Sequence, residues 1–378
     1  MSLRLLTLIA LIALCLPTRA QEEVRRLDGT PYAFTVEVDL AATPVKSQGA
    51  SGTCWSFSTL SFLESELLRQ GQGAYDLSEM YVVRKIYEAK AAHYLRFQGH
   101  ARFSPGGTFH DVNHVLRDYG LMPQSAYSGR LVNPARHDHG ELDGVLTAMV
   151  EALVAQGKPL STRWRAALSG VLDAYLGELP ETFTYEGETY TPRSFADELG
   201  VSADEYLEFA SFTHHPYYEQ FVLEIPDNWD HHRMYNLPLD ELMEVMTYAL
   251  ENGYTVAWDG DVSEETFRHR PGLANVPDPA VAASREGEIP VELTVTPELR
   301  QVAFDDQRTT DDHLMHITGL AKAQDGSPFF LTKNSWGDSN ACGGYLYLSE
   351  AYARYKTVHI MVHQDAVPKK ILKKLTAE

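Results

Sequence analysis

The sequence predicts an α+β fold in which a helix-rich first part is followed by a sheet-rich second part. Apolar residues recur with helical spacing over residues 57–68, and similar patterns occupy residues 142–154 and 195–212. Residues 254–258 are instead typical of a short buried strand, and further strands and turns follow them. The chain is therefore expected to form a helical lobe and a second lobe built on a sheet.

The composition is that of a globular protein with a strong acidic bias. The chain has 378 residues, of which 44% are hydrophobic, and its formal net charge is −20. A surface of this charge repels phosphate backbones and anionic lipids, so nucleic acid is not an expected partner. The length predicts two or three subdomains.

The N-terminus has the pattern of a secretory signal peptide. Arg4 precedes an apolar run over residues 5–16, and small residues stand before a cleavage position after Ala20. The run is too short to cross a bilayer. We therefore expect residues 1–20 to be removed and the protein to be exported to the periplasm or the medium, without stable membrane insertion.

Cys54 is the strongest candidate for a reactive side chain. It follows a polar, glycine-containing turn over residues 48–53 and precedes the helical pattern of residues 57–68, which places it at or near a helix N-terminus. Free N–H groups and the helix dipole favour an anion there, so we expect a lowered thiol pKa. The alternative is a small buried structural cysteine.

Three other residues complete a candidate nucleophilic site. Gln48 lies just upstream of Cys54, on a loop whose glycines allow its amide to serve as an oxyanion donor. His313 and Asn334 come far downstream, and one reactive cysteine with a distant histidine and asparagine is the signature of a thiol protease. The Asn334 carbonyl would accept the imidazole N–H and fix the ring orientation.

These motifs resemble those of the papain-like cysteine peptidases. Residues 48–58 resemble their active-site segment, and residues 334–337 resemble their asparagine motif. Other segments resemble the bleomycin hydrolase and aminopeptidase C branch: residues 77–79, 106–107, 118–121 and 235–239. The resemblance covers about residues 30–370. It implies a papain-like two-lobe fold, with a central helix carrying the catalytic cysteine in the helical lobe and an antiparallel β-barrel-like second lobe.

The resemblance also selects the base from two histidines. His313 and His316 are three positions apart, so on a strand they face opposite sides and only one can face Cys54. In the papain-like pattern a glycine follows the catalytic histidine six positions later, and His313 with Gly319 fits this spacing. His313 is the expected base, and His316 is expected to pack beneath it.

The substrate cleft is expected to include two glycines and two tryptophans. The resemblance places Gly106 and Gly107 where the substrate backbone lies against the protein backbone, although glycines also simply form tight turns. Trp55 follows the nucleophile directly, and Trp336 would cover the bond between the base and its asparagine. Both tryptophans are expected at the substrate-binding site.

The separation of Cys54 from His313 predicts an insertion, because papain-like enzymes have only about 130–150 residues between these positions. The residues between Cys54 and His313 beyond this number are expected to be largely helical and to narrow or cover the substrate cleft. The predicted division is a signal peptide (1–20), a helical lobe (21–129), a helical insertion (130–235), a β-rich lobe (236–367) and a short tail (368–378).

No metal or organic cofactor is expected. Two histidine pairs, His214-His215 and His231-His232, invite a metal site, but successive side chains of an extended chain point in opposite directions. No cysteine or carboxylate has matching spacing. Cys342 is expected to remain an unpaired thiol, since a disulfide with Cys54 would remove the nucleophile.

The expected activity is peptide hydrolysis through a thioester acyl-enzyme, most simply by an aminopeptidase acting on peptide substrates. The resemblance implies a C-terminal arm whose carboxylate pairs with the substrate amino group, and a hexameric cage. The tail over residues 368–378 looks shorter than that arm. A less restricted endopeptidase and a non-catalytic peptide-binding protein therefore stay open as alternatives, and so does the formation of a homo-oligomer.

Overall fold

The computed structural model describes residues 24–376 apart from 134, 282–284 and 286. The predicted signal peptide lies outside the described residues. The helices are α1 (Cys54–Arg69), α2 (Glu79–Arg96), α3 (Phe109–Asp118), α4 (Gly140–Ala155), α5 (Arg163–Leu176), α6 (Pro192–Leu199), α7 (Leu239–Glu251), α8 (Pro297–Asp305), α9 (Glu350–Lys356) and α10 (Lys369–Leu375).

The strands form a large sheet and a separate hairpin. The hairpin is β3 (Phe183–Tyr185) with β4 (Glu188–Tyr190). The sheet strands are β1 (Val24–Arg26), β2 (Ala33–Asp39), β5 (Tyr206–Ala210), β6 (Gln220–Val222), β7 (Arg233–Asn236), β8 (Val256–Gly260), β9 (Phe267–Arg268), β10 (Leu273–Ala274), β11 (His313–Ala323), β12 (Pro328–Lys333), β13 (Tyr345–Ser349) and β14 (Thr357–His363).

The sheet order is β6-β7-β5-β14-β8-β11-β12-β13-β10-β9, and β2 also pairs with β11. Most neighbouring strands are antiparallel, as expected, but β5 with β7 and β10 with β13 are parallel. The predicted α+β class and the two-part organisation are confirmed.

Helix α1 is the central helix of the helical lobe. Nearly every residue from Cys54 to Leu67 is buried, as in a helix enclosed by packing on all sides. Its start follows a tight loop in which Gly49 and Gly52 have φ values of +60° and +65°. A Cβ at Gly49 would overlap the backbone of His137, so this loop requires glycine for space as well as for conformation.

The two faces of the sheet pack against different helices. Leu314 and Met361 belong to the apolar core that also contains Cys54 and the rest of α1. Met315 and Ile360, their neighbours along the same strands, pack with α7 and α10 in a second core. The sheet therefore lies between α1 on one face and α7 with α10 on the other.

The insertion is only partly helical, which corrects the prediction for residues 130–235. Helices α4, α5 and α6 fill its first part, but the helical pattern expected over residues 195–212 ends early. Gly200 terminates α6 in a left-handed conformation with φ +69°. Residues 206–210 then pair with β14 as β5, so long-range pairing decides their conformation.

Two further expectations concern membrane contact and disulfides. Within the part of the chain that the structure describes, none of the helices combines the length and apolar character needed to cross a membrane. Cys54 and Cys342 are both free thiols, as expected.

Candidate active site

Helix α1 lies along β11 and brings its N-terminal end to the start of that strand. Ser58 Oγ donates to the carbonyl oxygen of Met315 at 2.8 Å, and Ser61 Oγ is 2.9 Å from Nδ1 of His316. At the N-terminal end of the helix, the backbone N–H of Leu314 donates to the thiol of Cys54. Leu314 directly follows His313, so this contact brings Cys54 to the start of β11, the strand on which the predicted base lies.

Asn334 fixes the tautomer of His313. Asn334 follows β12, and its Oδ1 accepts the N–H of Ser335 at 2.7 Å, which identifies that atom as the oxygen. His313 Nε2 lies 2.7 Å from the same Oδ1 and must therefore carry the proton. The other ring nitrogen, Nδ1, is left without a proton and can act as a base.

Trp336 and His269 enclose this hydrogen bond. The Trp336 ring lies 4.7 Å from the His313 ring and 4.9 Å from the His269 ring, centroid to centroid. Asn334 Nδ2 is 3.4 Å from Nδ1 of His269. Trp336 thus covers the bond as predicted. His269 was missed, because it lies in a polar connection where no pattern distinguishes it.

Gln48 is oriented by the residue after Asn334. Its N–H donates to the carbonyl oxygen of Ser335 at 2.8 Å, and its Oε1 accepts the Ser335 hydroxyl at 2.6 Å. The amide nitrogen is therefore the end left available as a donor. Cys54 supplies a second donor, because its N–H is among the first of α1 and has no carbonyl partner within the helix.

Burial dominates the electrostatics of the two reacting groups. It raises the pKa of the Cys54 thiol to about 12 and lowers the pKa of His313 to about 4. This corrects the expectation of a lowered thiol pKa, because burial is the largest influence on that pKa and raises it. Both groups are neutral at rest. Proton transfer from thiol to imidazole creates adjacent opposite charges rather than an isolated buried charge.

Gly106 and Gly107 form a segment packed against other side chains. A Cβ at Gly106 would overlap the Asp227 carboxylate, and one at Gly107 would overlap Asp111 and Trp55. Trp55 Nε1 donates to the carbonyl oxygen of Pro105 at 2.9 Å. The Trp55 side chain is only 1% exposed, so it supports this segment from beneath and does not line the cleft. Trp336, at 37%, is the exposed tryptophan of the pair.

Part of the insertion contacts the active-site loop. The N–H of Ala50 donates to the carbonyl oxygen of His137 at 2.9 Å, and the N–H of His139 donates back to Ala50 at 3.0 Å. Together with Asp227 at Gly106, these bonds show that the insertion borders the site on two sides.

Two groups of side chains have ligand atoms close enough to hold a metal ion. His110, Glu208 and His232 form one group, and His214, His215 and Glu224 form the other. The expectation that adjacent histidines diverge is wrong for the second group, because a turn directs both rings to Glu224, at 3.1 and 2.9 Å. In the first group, His110 is already paired with Asp230 at 2.8 Å.

Comparison with known proteins places these features in a family. The sequence profile of the Peptidase C1-like family matches residues 17–378. Aminopeptidase C of Streptococcus thermophilus is 25% identical over 380 residues, covering 88% of this chain and 83% of the relative. Bleomycin hydrolase of Rattus norvegicus is 22% identical over 404 residues, covering 93% of this chain and 87% of the relative.

The architecture has a counterpart among solved structures. PepW from Lactobacillus rhamnosis aligns over 90% of this chain and 84% of its own length, with a TM-score of 0.71 and 20% sequence identity. This similarity shows the papain-like fold that the motifs had implied. The chain belongs to the Peptidase C1-like family and is a cysteine peptidase.

Proposed function

We propose that this protein is a thiol aminopeptidase in which Cys54 is the nucleophile and His313 the base. The observation that carries the proposal is the hydrogen bond from His313 Nε2 to Asn334 Oδ1, at 2.7 Å. That bond holds the imidazole in the tautomer needed for proton abstraction by Nδ1. The N–H of Leu314 holds the thiol beside it.

The reaction begins with proton transfer from the Cys54 thiol to Nδ1 of His313 as sulfur attacks the peptide carbonyl. The tetrahedral oxyanion accepts hydrogen bonds from the Gln48 amide and the Cys54 N–H. The His313 imidazolium then protonates the leaving amine, and the C–N bond breaks to give a thioester. Water, deprotonated by His313, hydrolyses the thioester and restores the thiol.

Two observations favour an aminopeptidase over an endopeptidase. Relatives that align over most of this chain include proteins named aminopeptidase C. In addition, the Asp227 side chain lies against Gly106, so part of the insertion occupies the surface where the resemblance places the substrate backbone. A substrate that extends past the cleaved residue toward Gly106 would meet this carboxylate.

The proposal is tested with two fluorogenic substrates, phenylalanine 4-methylcoumaryl-7-amide with a free amino group and its N-acetyl form. Wild type in the reduced state should cleave the free form only, and Cys54→Ala should cleave neither. Cleavage of both substrates would instead identify an endopeptidase. If wild type cleaves neither substrate although Cys54 reacts with iodoacetamide, the result contradicts the peptidase reaction.

We further propose that the protein is exported. The support is the sequence of residues 1–20, with Arg4 ahead of the apolar run and Ala20 before the expected cleavage position. Expression of the full chain in a bacterial host should give a processed protein outside the cytoplasm, with Gln21 as its first residue. An unprocessed chain that begins at residue 1 or 2 in the cytoplasm would contradict export.

A further inference from the structure

Four side chains that suit a metal ion line a cavity of about 200 Å³ beside α3. They are His110 in α3, Glu208 in β5, and Asp230 and His232 in the segment before β7. A donor atom of each histidine and of Glu208 lies within 4.8 Å of the other two. Local sequence patterns could not reveal this group, because its members come from three separate parts of the chain.

The spacing of these donor atoms is close to that of a tetrahedral ion site. His110 Nε2 is 2.8 Å from Asp230 Oδ1, and His232 Nε2 is 3.5 Å from Glu208 Oε1. Ligand atoms about 2.0–2.2 Å from a Zn²⁺ ion stand roughly 3.3–3.6 Å apart in a tetrahedron. The His110 and His232 rings stack at a centroid distance of 4.4 Å, so both imidazoles border the same part of the cavity.

Two of the four side chains are buried and have polar atoms without a partner. His110 is 4% exposed and Glu208 is 6% exposed. Within the described residues, His110 Nε2 and Glu208 Oε2 have no hydrogen-bond partner, and the contact of His110 with Asp230 lacks hydrogen-bond geometry. The other nitrogen of His110, Nδ1, is 2.5 Å from the Thr108 hydroxyl, which can accept a proton and leave Nε2 as the ligand atom. Buried polar atoms without partners require an explanation, and a bound ion supplies one.

The balance of charge favours a divalent cation over protons alone. Burial opposes protonation of His110, but Asp230 raises the pKa of His110 to about 9, so a proton on His110 can balance Asp230. The neighbours of Glu208 within ion-pair distance among the described residues are instead His232 and His359, at 3.5 and 3.6 Å. Burial lowers the pKa of both rings to about 4, which keeps them neutral, and it raises the pKa of Glu208. One divalent ion would balance both carboxylates and bind neutral imidazoles.

The donors of this group fit Zn²⁺ better than the common alkaline-earth ions. Zn²⁺ binds imidazole nitrogen and carboxylate oxygen in four-coordinate sites, whereas Ca²⁺ and Mg²⁺ prefer oxygen ligands. The second group, His214, His215 and Glu224, has similar donors but lies at the surface, where the Glu224 side chain is 57% exposed. Water can satisfy the polar atoms of that group, so the buried group beside α3 has the stronger need for an ion.

We propose that the cavity beside α3 binds a structural Zn²⁺ ion through four ligands: His110, Glu208, Asp230 and His232. The ion would join α3 to β5 and β7, and would thereby fasten the insertion to the helical lobe. The open cavity gives the ion a route from the solvent. The proposal does not depend on the peptidase reaction, because none of the four ligands is the proposed nucleophile, base or oxyanion donor.

The test titrates the untagged wild-type protein with Zn²⁺ in an isothermal titration calorimeter, after its thiols have been alkylated with iodoacetamide. Alkylation removes Cys54 and Cys342 as competing ligands. Glu208→Gln and His232→Gln should each weaken the tightest binding event more than about 100-fold, because loss of a ligand costs more than the roughly 10- to 100-fold typical of an outer-shell partner. His215→Gln, in the exposed group, is the matched control and should leave that event unchanged.

Thermal unfolding gives a second readout of the same site. Saturating Zn²⁺ should raise the unfolding temperature of wild type and of His215→Gln but not that of Glu208→Gln, and EDTA should reverse the rise. Unfolding without metal establishes that each variant is folded. The His232 side chain is 40% exposed, so His232→Gln should keep the fold even if the substitution at the buried Glu208 does not.

Three results would overturn the proposal. In the first, wild type shows no saturable binding of Zn²⁺. In the second, folded Glu208→Gln and His232→Gln variants keep the wild-type affinity. In the third, tight binding is lost in His215→Gln alone, which would assign the ion to the exposed group. Each of these results would leave the peptidase function intact, because that function is measured separately with the fluorogenic substrates.

Discussion

At the scale of single residues, hydrogen-bond acceptors decide what each catalytic side chain can do. The Asn334 oxygen receives both the Ser335 N–H and the His313 N–H, so Nδ1 of His313 is left without a proton. The Ser335 hydroxyl occupies the oxygen of Gln48, so the Gln48 nitrogen becomes the free donor. One dipeptide, Asn334-Ser335, therefore orients both the base and the oxyanion donor.

Removal of the Gln48 donor should slow the chemical step. We expect Gln48→Ala to lower kcat roughly 10²- to 10³-fold with little change in KM, because the lost bond forms with the oxyanion rather than with the bound substrate. Steady-state kinetics on a free-amino fluorogenic substrate measures this. Gln70→Ala, at an exposed position after α1, is the matched control. An unchanged kcat in the Gln48 variant would exclude this role.

His316 should make stability dependent on pH. It is fully buried against α1, and burial lowers its pKa well below 6.5, so the folded state favours its neutral form. The contribution of neutral His316 to the unfolding free energy is fully present above about pH 6.5. It is lost as the pH falls toward the pKa of His316 in the folded state. Relative to His316→Gln, wild type should therefore lose unfolding free energy between about pH 6.5 and 5, as measured by urea denaturation.

The exposed His100 provides the control for this prediction. His100→Gln should give a stability curve parallel to that of wild type over the same pH range. Parallel curves for wild type and His316→Gln would show that His316 does not titrate in the way that its burial implies.

At the scale of elements, a half-buried lysine, Lys46, joins the N-terminal segment to α1 and α2. Lys46 Nζ lies 3.1 Å from Glu64, 2.6 Å from Asp76 and 2.7 Å from Glu79. Glu64 and Glu79 are almost completely buried, so each depends on this cation for compensation. The loop that carries Gln48 begins directly after Lys46. The ion pairs of Lys46 with α1 and α2 therefore help to fix the position of Gln48.

Loss of this cation should be strongly destabilising. We expect Lys46→Met to lower the unfolding free energy by about 3–5 kcal/mol, because two buried carboxylates lose their partner. Lys322→Met is the control: its ion pair with Glu37 is exposed, and its loss should cost less than about 1 kcal/mol. Urea denaturation measures both variants. Equal effects of the two substitutions would show that the buried carboxylates do not depend on Lys46.

At the scale of the whole molecule, the sheet separates the reacting side from the side that holds the C-terminal helix. Cys54 and α1 pack on one face, and α7 with α10 pack on the other. The described tail residues thus contribute to the core rather than to the cleft. The insertion, by contrast, places Asp227 against Gly106.

A chain that ends at Pro368 tests this arrangement. It should lose about 2 kcal/mol or more of stability, since Ile371 is fully buried and α10 pairs with α7. It should nevertheless keep the wild-type preference for free over acetylated substrates. Loss of that preference, with Cys54 still alkylatable, would place the amino-group contact in the tail.

Prediction from sequence succeeded where a pattern is local. The spacing of apolar residues after Cys54 predicts α1, and the spacing over residues 142–154 predicts α4, because helical periodicity is a property of consecutive residues. The same reasoning failed for residues 206–210. Their pairing with β14, more than a hundred positions away, is invisible in the local sequence.

The sequence by itself predicted the candidate nucleophile, base, asparagine and glutamine, because their residue types and motifs limit the chemistry. It also determined that the fold combines helices and sheet. Only the tertiary structure decided the direction of the thiol pKa shift, since the burial of Cys54 raises its pKa and burial is not readable from the local sequence. It alone brought Asp227 of the insertion against Gly106, because the packing of the insertion joins positions that are far apart in the chain.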